Sequence, residues 1–161
     1  DGPLRKDLEA LVIKNNLSNR VHFTGYLDYR EMKHVYAGAS CFVLPSTTEQ
    51  WGLVINEALA SGIPVLCSEN VGSAPNLLSG LHVGYTFNPM SSKDLLQKMI
   101  KIIDELKDTD FASQARRVIS EWGKEKYSKN IHSASALAVK TYNKKSYIQE
   151  SLLKLFIYMA K

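Results

Sequence analysis

Two short, unbroken apolar runs, "CFVLP" at residues 41–45 and "PVLCS" at residues 64–68, set the tightest limit on the fold. A strand with one face in water alternates apolar and polar residues, and these runs do not. Both faces of each strand are therefore expected to be covered, as in a parallel sheet with helices on each side. The intervening segments agree. "DYREMKHVYAGA" reads as a helix with Asp28 as N-cap and Met32, Val35 and Tyr36 turned inward. "WGLVINEALASG" reads as another, ended by Gly62 with Pro64 just beyond. Strand and helix thus alternate, as crossovers between parallel strands require.

The flanks extend the pattern. "GPLRKDLEALVIKNNL" places Leu4, Leu8, Leu11 and Val12 at helical spacing. "RVHFTG" is expected to be a short strand stopped by Gly25, "SAPNLLSG" a helical turn, and "GYTF" a strand. From about Ser91 the pattern changes. "SSKDLLQKMIKIIDELKD" is an amphipathic helix capped by Ser91 or Ser92, and two or three further helices follow without a strand. The expected class is α/β: a Rossmann-like parallel sheet flanked by helices, followed by carboxy-terminal helices. A doubly wound domain ordinarily begins on a strand, and this chain begins on a loop leading into a helix. At least one strand is therefore expected upstream of residue 1.

A chain of 161 residues is long enough for one domain with a sizeable core. No apolar run approaches the ~20 residues that span a bilayer, and no leader segment opens the chain. Cys41 and Cys67 both sit in apolar runs, which reads as two buried thiols rather than a disulfide or metal site. That favours a reducing compartment, the cytoplasm. The net charge of +4 is uneven: residues 1–121 carry 12 Lys/Arg against 14 Asp/Glu, and residues 122–161 carry 8 against 2. Such a basic end suits an anionic surface, and peripheral contact with the inner face of the cytoplasmic membrane is one reading. A solvated helix face is the plainer one. No nucleic-acid-binding signature accompanies the charge, so no nucleic-acid partner is expected. His22, His34, His82 and His132 are scattered, and no metal site is expected.

One stretch resists a purely structural reading. "TTEQWGLVINEALASGIPV" carries Glu49 and Glu57 in otherwise apolar surroundings. In open parallel sheets ligands sit at the carboxyl ends of strands, which here means Ser46 to Trp51. Gly52 then opens a helix. The amides of Leu53 and Val54 lack intrahelical acceptors, which makes a seat for an anionic or hydroxyl-rich ligand, and a residue without Cβ lets a ligand approach the backbone. Glu57 lies about one and a half turns further on, in a helix expected to be buried on most sides. A buried carboxylate needs a partner. Ribose or hexose hydroxyls could supply it; so could a buried arginine, or the helix dipole. Spacing alone leaves these open.

"PSTTEQWGLVINEALASGIPV" resembles the signature of the large retaining glycosyltransferase group called family 4, which has the GT-B fold. The matching elements are Pro45, Ser46, Glu49, Trp51, Gly52, Leu53, Glu57, Ala58, Gly62, Pro64 and Val65. "DGPLRKDLE", "VHFTGYL", "VYAGASCFVLPS" and "GYTFNP" resemble flanking segments of that family, so the likeness covers about residues 1–145. It implies a nucleotide-sugar-binding domain over 1–145, the carboxy-terminal half of a GT-B fold with its first strands upstream, and a helical tail over 146–161. The implied reaction moves a sugar from a nucleotide diphosphate sugar to an acceptor hydroxyl with retention, with no cofactor.

The resemblance also implies roles. Glu49 would be the catalytic-site carboxylate on the donor-sugar hydroxyls. Glu57 would hold the donor ribose. Gly52, Leu53 and Val54 would meet the sugar and diphosphate, Ser46, Thr47 and Trp51 would line the pocket, and Gly25, Tyr26 and Leu27 would border the base. Two departures stand out. Where the family often has a Gly-Gly pair followed by an acidic residue, "VGSAPNLL" has Ser73 and Asn76. The Arg and Lys that neutralise the diphosphate, and the amino-terminal domain that binds the acceptor, lie upstream of residue 1 in the family. The isolated chain is accordingly expected to transfer no sugar. The alternatives are a non-catalytic nucleotide-sugar-binding module and a sugar-nucleotide epimerase of the same fold.

Overall fold

A computed structural model describes residues 2–142. The two apolar runs lie side by side. Strand β1 (Phe42–Leu44) pairs in parallel with β2 (Val65–Ser68), Phe42 opposite Val65 and Leu44 opposite Cys67. Strand β3 (Gly84–Phe87), the "GYTF" segment, adds in parallel to the other side of β2. All four residues of β2 are buried, as a continuous apolar run in a central strand demands.

Helices α1 (Arg5–Lys14) and α2 (Tyr29–Gly38) precede the sheet. Helix α3 (Leu53–Ala60) carries the chain from β1 to β2, and the short α4 (Ala74–Leu77) lies between β2 and β3. After the sheet come α5 (Ser92–Glu105), α6 (Phe111–Ser120) and α7 (Lys124–Tyr142). The chain forms two compact units, residues 1–116 and 117–161, the division falling inside α6. The first holds the sheet. In the second, α7 has no buried residue. The expected boundary at residue 145 and the tail over 146–161 lie outside the described residues. Among the described residues no helix is long and apolar enough to cross a membrane.

Local sequence explains most of these elements. Asp28 caps α2 through a reciprocal pair: its carboxylate accepts from the Arg30 and Glu31 amides at 2.7 and 2.9 Å, and Glu31 accepts from the Asp28 amide at 2.9 Å. Ser91, not Ser92, caps α5, its Oγ accepting from the Asp94 amide at 3.2 Å. Helix α5 lays Ile102 into a cluster with Leu66 and Phe87, which Cys41, Val43, Tyr85 and Leu95 extend. The Tyr85 hydroxyl then donates to the Glu105 carboxylate at 2.7 Å, tying α5 to β3.

Three expectations are corrected. Residues 21–25, "VHFTG", form no strand, because no neighbouring segment among the described residues offers a hydrogen-bond ladder. Val35 is 46% exposed while Tyr36 is buried. Successive helical residues point about 100° apart, so Tyr36 shares its face with Met32 four residues back, not with Val35. Helix α3 is not buried on most sides. It buries Ile55, Ala58 and Leu59, one face at i, i+3, i+4, and leaves Leu53, Glu57 and Ala60 exposed on the other. Both cysteines are free; Cys67 is buried and Cys41 half-buried. Burial pushes each thiol up to about 11.

Candidate functional site

In a parallel sheet the loops that leave successive strands emerge along one edge. The loop after β1 spans Pro45 to Gly52, and the loop after β2 spans Glu69 to Ser73. These two loops are stitched together. The Gly72 amide donates to the Glu49 carbonyl at 3.0 Å, and Glu49 and Val71 form an isolated parallel bridge. Asn70 adds a second stitch: its Nδ2 donates to the Thr47 carbonyl at 2.9 Å, while its amide donates to Ser68 Oγ at 3.1 Å. The backbone of Glu49 is therefore fixed. Its half-buried carboxylate makes no hydrogen bond or ion pair with the described residues, which leaves its acceptors available.

Glycine is required twice here. Gly72 passes so close to the other loop that a Cβ would overlap the Gln50 carbonyl oxygen. Gly52 sits at φ 78°, ψ 63°, left-handed backbone that ordinary residues avoid. The space a Cβ would take at Gly52 is bounded by Val71 Cγ1, Glu49 Cγ and Leu44 Cδ2 at 3.1–3.3 Å. The glycine thus has a conformational and packing reason of its own, and the residue is buried. The first turn of α3 begins here, with the amides of Leu53 and Val54 at its amino end. Trp51 steadies that turn, its Nε1 donating to Asn56 Oδ1 at 3.1 Å.

Glu57 is not the buried carboxylate expected from its neighbours. It lies on the exposed face of α3 and forms no ion pair with the described residues. Its Oε2 accepts a hydrogen bond from the Tyr36 hydroxyl at 3.1 Å. Tyr36 is only 5% exposed, and its ring packs 5.9 Å from that of Phe42 at the start of β1. Burial first, then the bond to Glu57 and its charge, push the tyrosine up to about 12.

The structure thus brings Ser46, Thr47, Glu49, Trp51, Gly52, Leu53, Val54 and Glu57 onto one loop and the helix it feeds. Gly25, Tyr26 and Leu27 are not joined to that segment by any hydrogen bond among the described residues. Gly25 lines a separate depression of ≈ 460 Å³ with Arg5, His22, Phe23 and the start of α1. Tyr26 is 88% exposed. The loop of Gly25, Tyr26 and Leu27 leads into α2, which starts at Tyr29 and carries Tyr36 in its last turn. The sequence reading missed Tyr36, taken as core, and Asn70 and Gly72, whose roles exist only because two loops meet. Ser73, at the departure from the family's glycine pair, is fully buried, and its Oγ has no hydrogen-bond partner among the described residues. Among the described residues no group of three or more His, Cys, Asp or Glu side chains is placed to hold a metal ion.

A family profile described as "Glycosyl transferases group 1" matches residues 1–118. The chain belongs to the group 1 glycosyl transferases. A sulfoquinovosyl transferase of Arabidopsis thaliana is 32% identical over 124 residues, 75% of this chain and 23% of its own length. Among solved structures, Anabaena HepE in complex with UDP and glucose superposes with a TM-score of 0.68 at 25% identity, covering 83% of this chain and 36% of that one. The C-terminal domain of a group 1 glycosyl transferase from Francisella tularensis gives 0.64 at 26% identity, covering 73% of this chain and 60% of that one. The parallel sheet with its flanking helices is the Rossmann-like layer of the GT-B fold. The chain spans 23–36% of the length of three curated relatives it matches.

Proposed function

We propose that this chain is the donor-binding, carboxy-terminal part of a retaining glycosyltransferase that moves a hexose from a nucleoside diphosphate sugar to an acceptor hydroxyl. The observation that carries the reading is the stitched pair of loops at the carboxyl edge of the sheet. They fix the Glu49 backbone, leave its carboxylate without a hydrogen bond or ion pair among the described residues, and lead straight into the amino end of α3. The similar structure of Anabaena HepE in complex with UDP and glucose supports the donor class.

In this reading Glu49 accepts hydrogen bonds from donor-sugar hydroxyls and sets the reacting carbon against the acceptor. The amides of Gly52, Leu53 and Val54 face the sugar and diphosphate, where the positive end of the helix favours developing negative charge. Glu57 accepts from the ribose diol. Ser46, Thr47 and Trp51 line the pocket, and Gly25, Tyr26 and Leu27 border the base. The chemistry is the departure of a diphosphate, and electrostatic stabilisation of that leaving group is the main catalytic demand. The cations that meet it, and the acceptor site, are assigned to parts of the protein outside these 161 residues. The basic face of α7 is assigned to solvent rather than to membrane; co-sedimentation of the intact protein with anionic vesicles would overturn that assignment.

Calorimetric titration of the intact protein with UDP, GDP and ADP tests the reading. One of the three is expected to bind, and the matching sugar donor to be turned over with the anomeric configuration of the product unchanged. Binding of none removes the donor reading. Inversion at the anomeric carbon removes retention alone. Turnover by the isolated 161-residue chain would show that the catalytic cations lie within it.

A further inference from the structure

We infer that Tyr36 is a positioning residue for donor binding, holding Glu57 in the orientation that receives the ribose diol. The inference rests on the proposed role of Glu57. It assigns a function to a side chain in a different element, on the far side of β1 in sequence.

Glu57 sits on the exposed face of α3. A glutamate there has several staggered rotamers open to it, and fixing such a side chain costs rotamer entropy. A ligand that must freeze the carboxylate binds more weakly by that amount, unless the protein freezes it first. Among the described residues the Tyr36 hydroxyl is the group that does so, donating to Oε2 at 3.1 Å.

Tyr36 is well placed for this. Its body is buried and its ring packs against Phe42, the first residue of β1, so the hydroxyl is held with little freedom of its own. The rigidity of the sheet passes through Phe42 and Tyr36 to the carboxylate. The acid–base chemistry agrees, since a tyrosine pushed up to about 12 remains a donor at any assay pH near neutrality. Stoichiometry agrees as well. An ionised carboxylate has about four acceptor positions and the tyrosine occupies one. The remaining positions, Oε1 among them, suit a vicinal diol, whose two hydroxyls donate side by side.

The plainer account reverses the dependence: a buried tyrosine needs a partner for its hydroxyl, and Glu57 supplies it. The two accounts differ in what they move. If Glu57 serves Tyr36, removing the hydroxyl alters stability and leaves nucleotide recognition alone. If Tyr36 serves Glu57, removing it alters recognition of the ribose in particular.

Affinities of the intact protein for UDP, GDP and ADP, each paired with its 2′-deoxy analogue, separate the accounts. Wild type is expected to prefer the ribonucleotide about 10-fold, the worth of a hydrogen bond to a charged group. Glu57→Ala abolishes the preference. Tyr36→Phe, which keeps the ring and its packing, cuts it about 3- to 10-fold. Placed in the Glu57→Ala background, Tyr36→Phe changes affinity no further. A preference in wild type that Glu57→Ala erases but Tyr36→Phe leaves whole overturns the positioning role and spares the ribose role of Glu57. No preference in wild type, or one that survives Glu57→Ala, overturns both. Should Tyr36→Phe lower the melting temperature, the double substitution still decides: an undiminished loss of affinity without Glu57 marks a structural effect and sinks the proposal.

Discussion

At the scale of single residues, the site depends on backbone held still around side chains left free. Glu49 shows this directly, with its carbonyl bonded to Gly72 and its carboxylate without a partner among the described residues. Glu49→Gln in the intact protein is expected to lower kcat/KM about 10- to 100-fold, as loss of charge-assisted hydrogen bonds does, with the melting temperature nearly unchanged. Steady-state kinetics beside a thermal melt check both halves. Gly72→Ala should behave in the opposite way. Its methyl meets the Gln50 carbonyl, so the loops must part. A loss of about 1–3 kcal/mol is expected from the urea midpoint, with activity falling because Glu49 moves. A stable Gly72→Ala protein with full activity would mean that the two loops need not touch.

At the scale of elements, caps and packed faces decide which helix ends where. The reciprocal Asp28–Glu31 pair fixes the start of α2, which carries Tyr36 two turns later. Asp28→Ala is expected to cost about 1 kcal/mol, and Asp28→Ser to recover most of it, read from denaturant midpoints. Equal losses for alanine and serine would rule out capping as the cause. Leu66 in β2 packs with Phe87 of β3 and Ile102 of α5, so it ties three elements together. Leu66→Ala should cost about 2–5 kcal/mol by denaturant titration, since a fully enclosed site cannot collapse around the void. Helix α5 also holds β3 through Tyr85, whose ring lies 4.2 Å from Lys101 Nζ and whose hydroxyl bonds Glu105.

At the scale of the whole molecule, the raised groups act together. Burial, aided by Glu57 and by Glu105, pushes Tyr36 and Tyr85 from 10.0 up to about 12, and burial pushes Cys41 and Cys67 from 9.0 up to about 11. In each case the folded protein holds its proton more tightly than the unfolded chain. Their contribution is therefore complete below pH 9 and is lost as pH rises through about 12. Denaturant midpoints measured from pH 8 to 12 are expected to fall steadily above pH 9, and a flat profile to pH 12 would contradict the burial of these groups. The same burial predicts that Cys67 resists thiol reagents in the native protein at pH 8 and reacts on unfolding.

Much of this was legible in the residues themselves. The unbroken runs "CFVLP" and "PVLCS" announced neighbouring parallel strands; β2 is covered on both faces as its run demands, while β1 is only half-buried. Asp28 and Ser91 announced their helices because capping is a local exchange between neighbours in the chain. The spacing of Glu49, Gly52 and Glu57 marked the candidate site for the same reason: all three lie on one continuous segment. Other features belong to tertiary structure alone. "VHFTG" has the composition of a strand, but a strand exists only with a partner. Glu57 has apolar neighbours in sequence, yet α3 turns it to solvent, because the sheet decides which face of a helix is covered. The meeting of Gly72 with Gln50, the stitch from Asn70 to Thr47, and the bond from Tyr36 to Glu57 join residues up to 23 positions apart. No local pattern encodes such pairs, because the chain between them sets only how far they can separate, and packing alone sets where they meet.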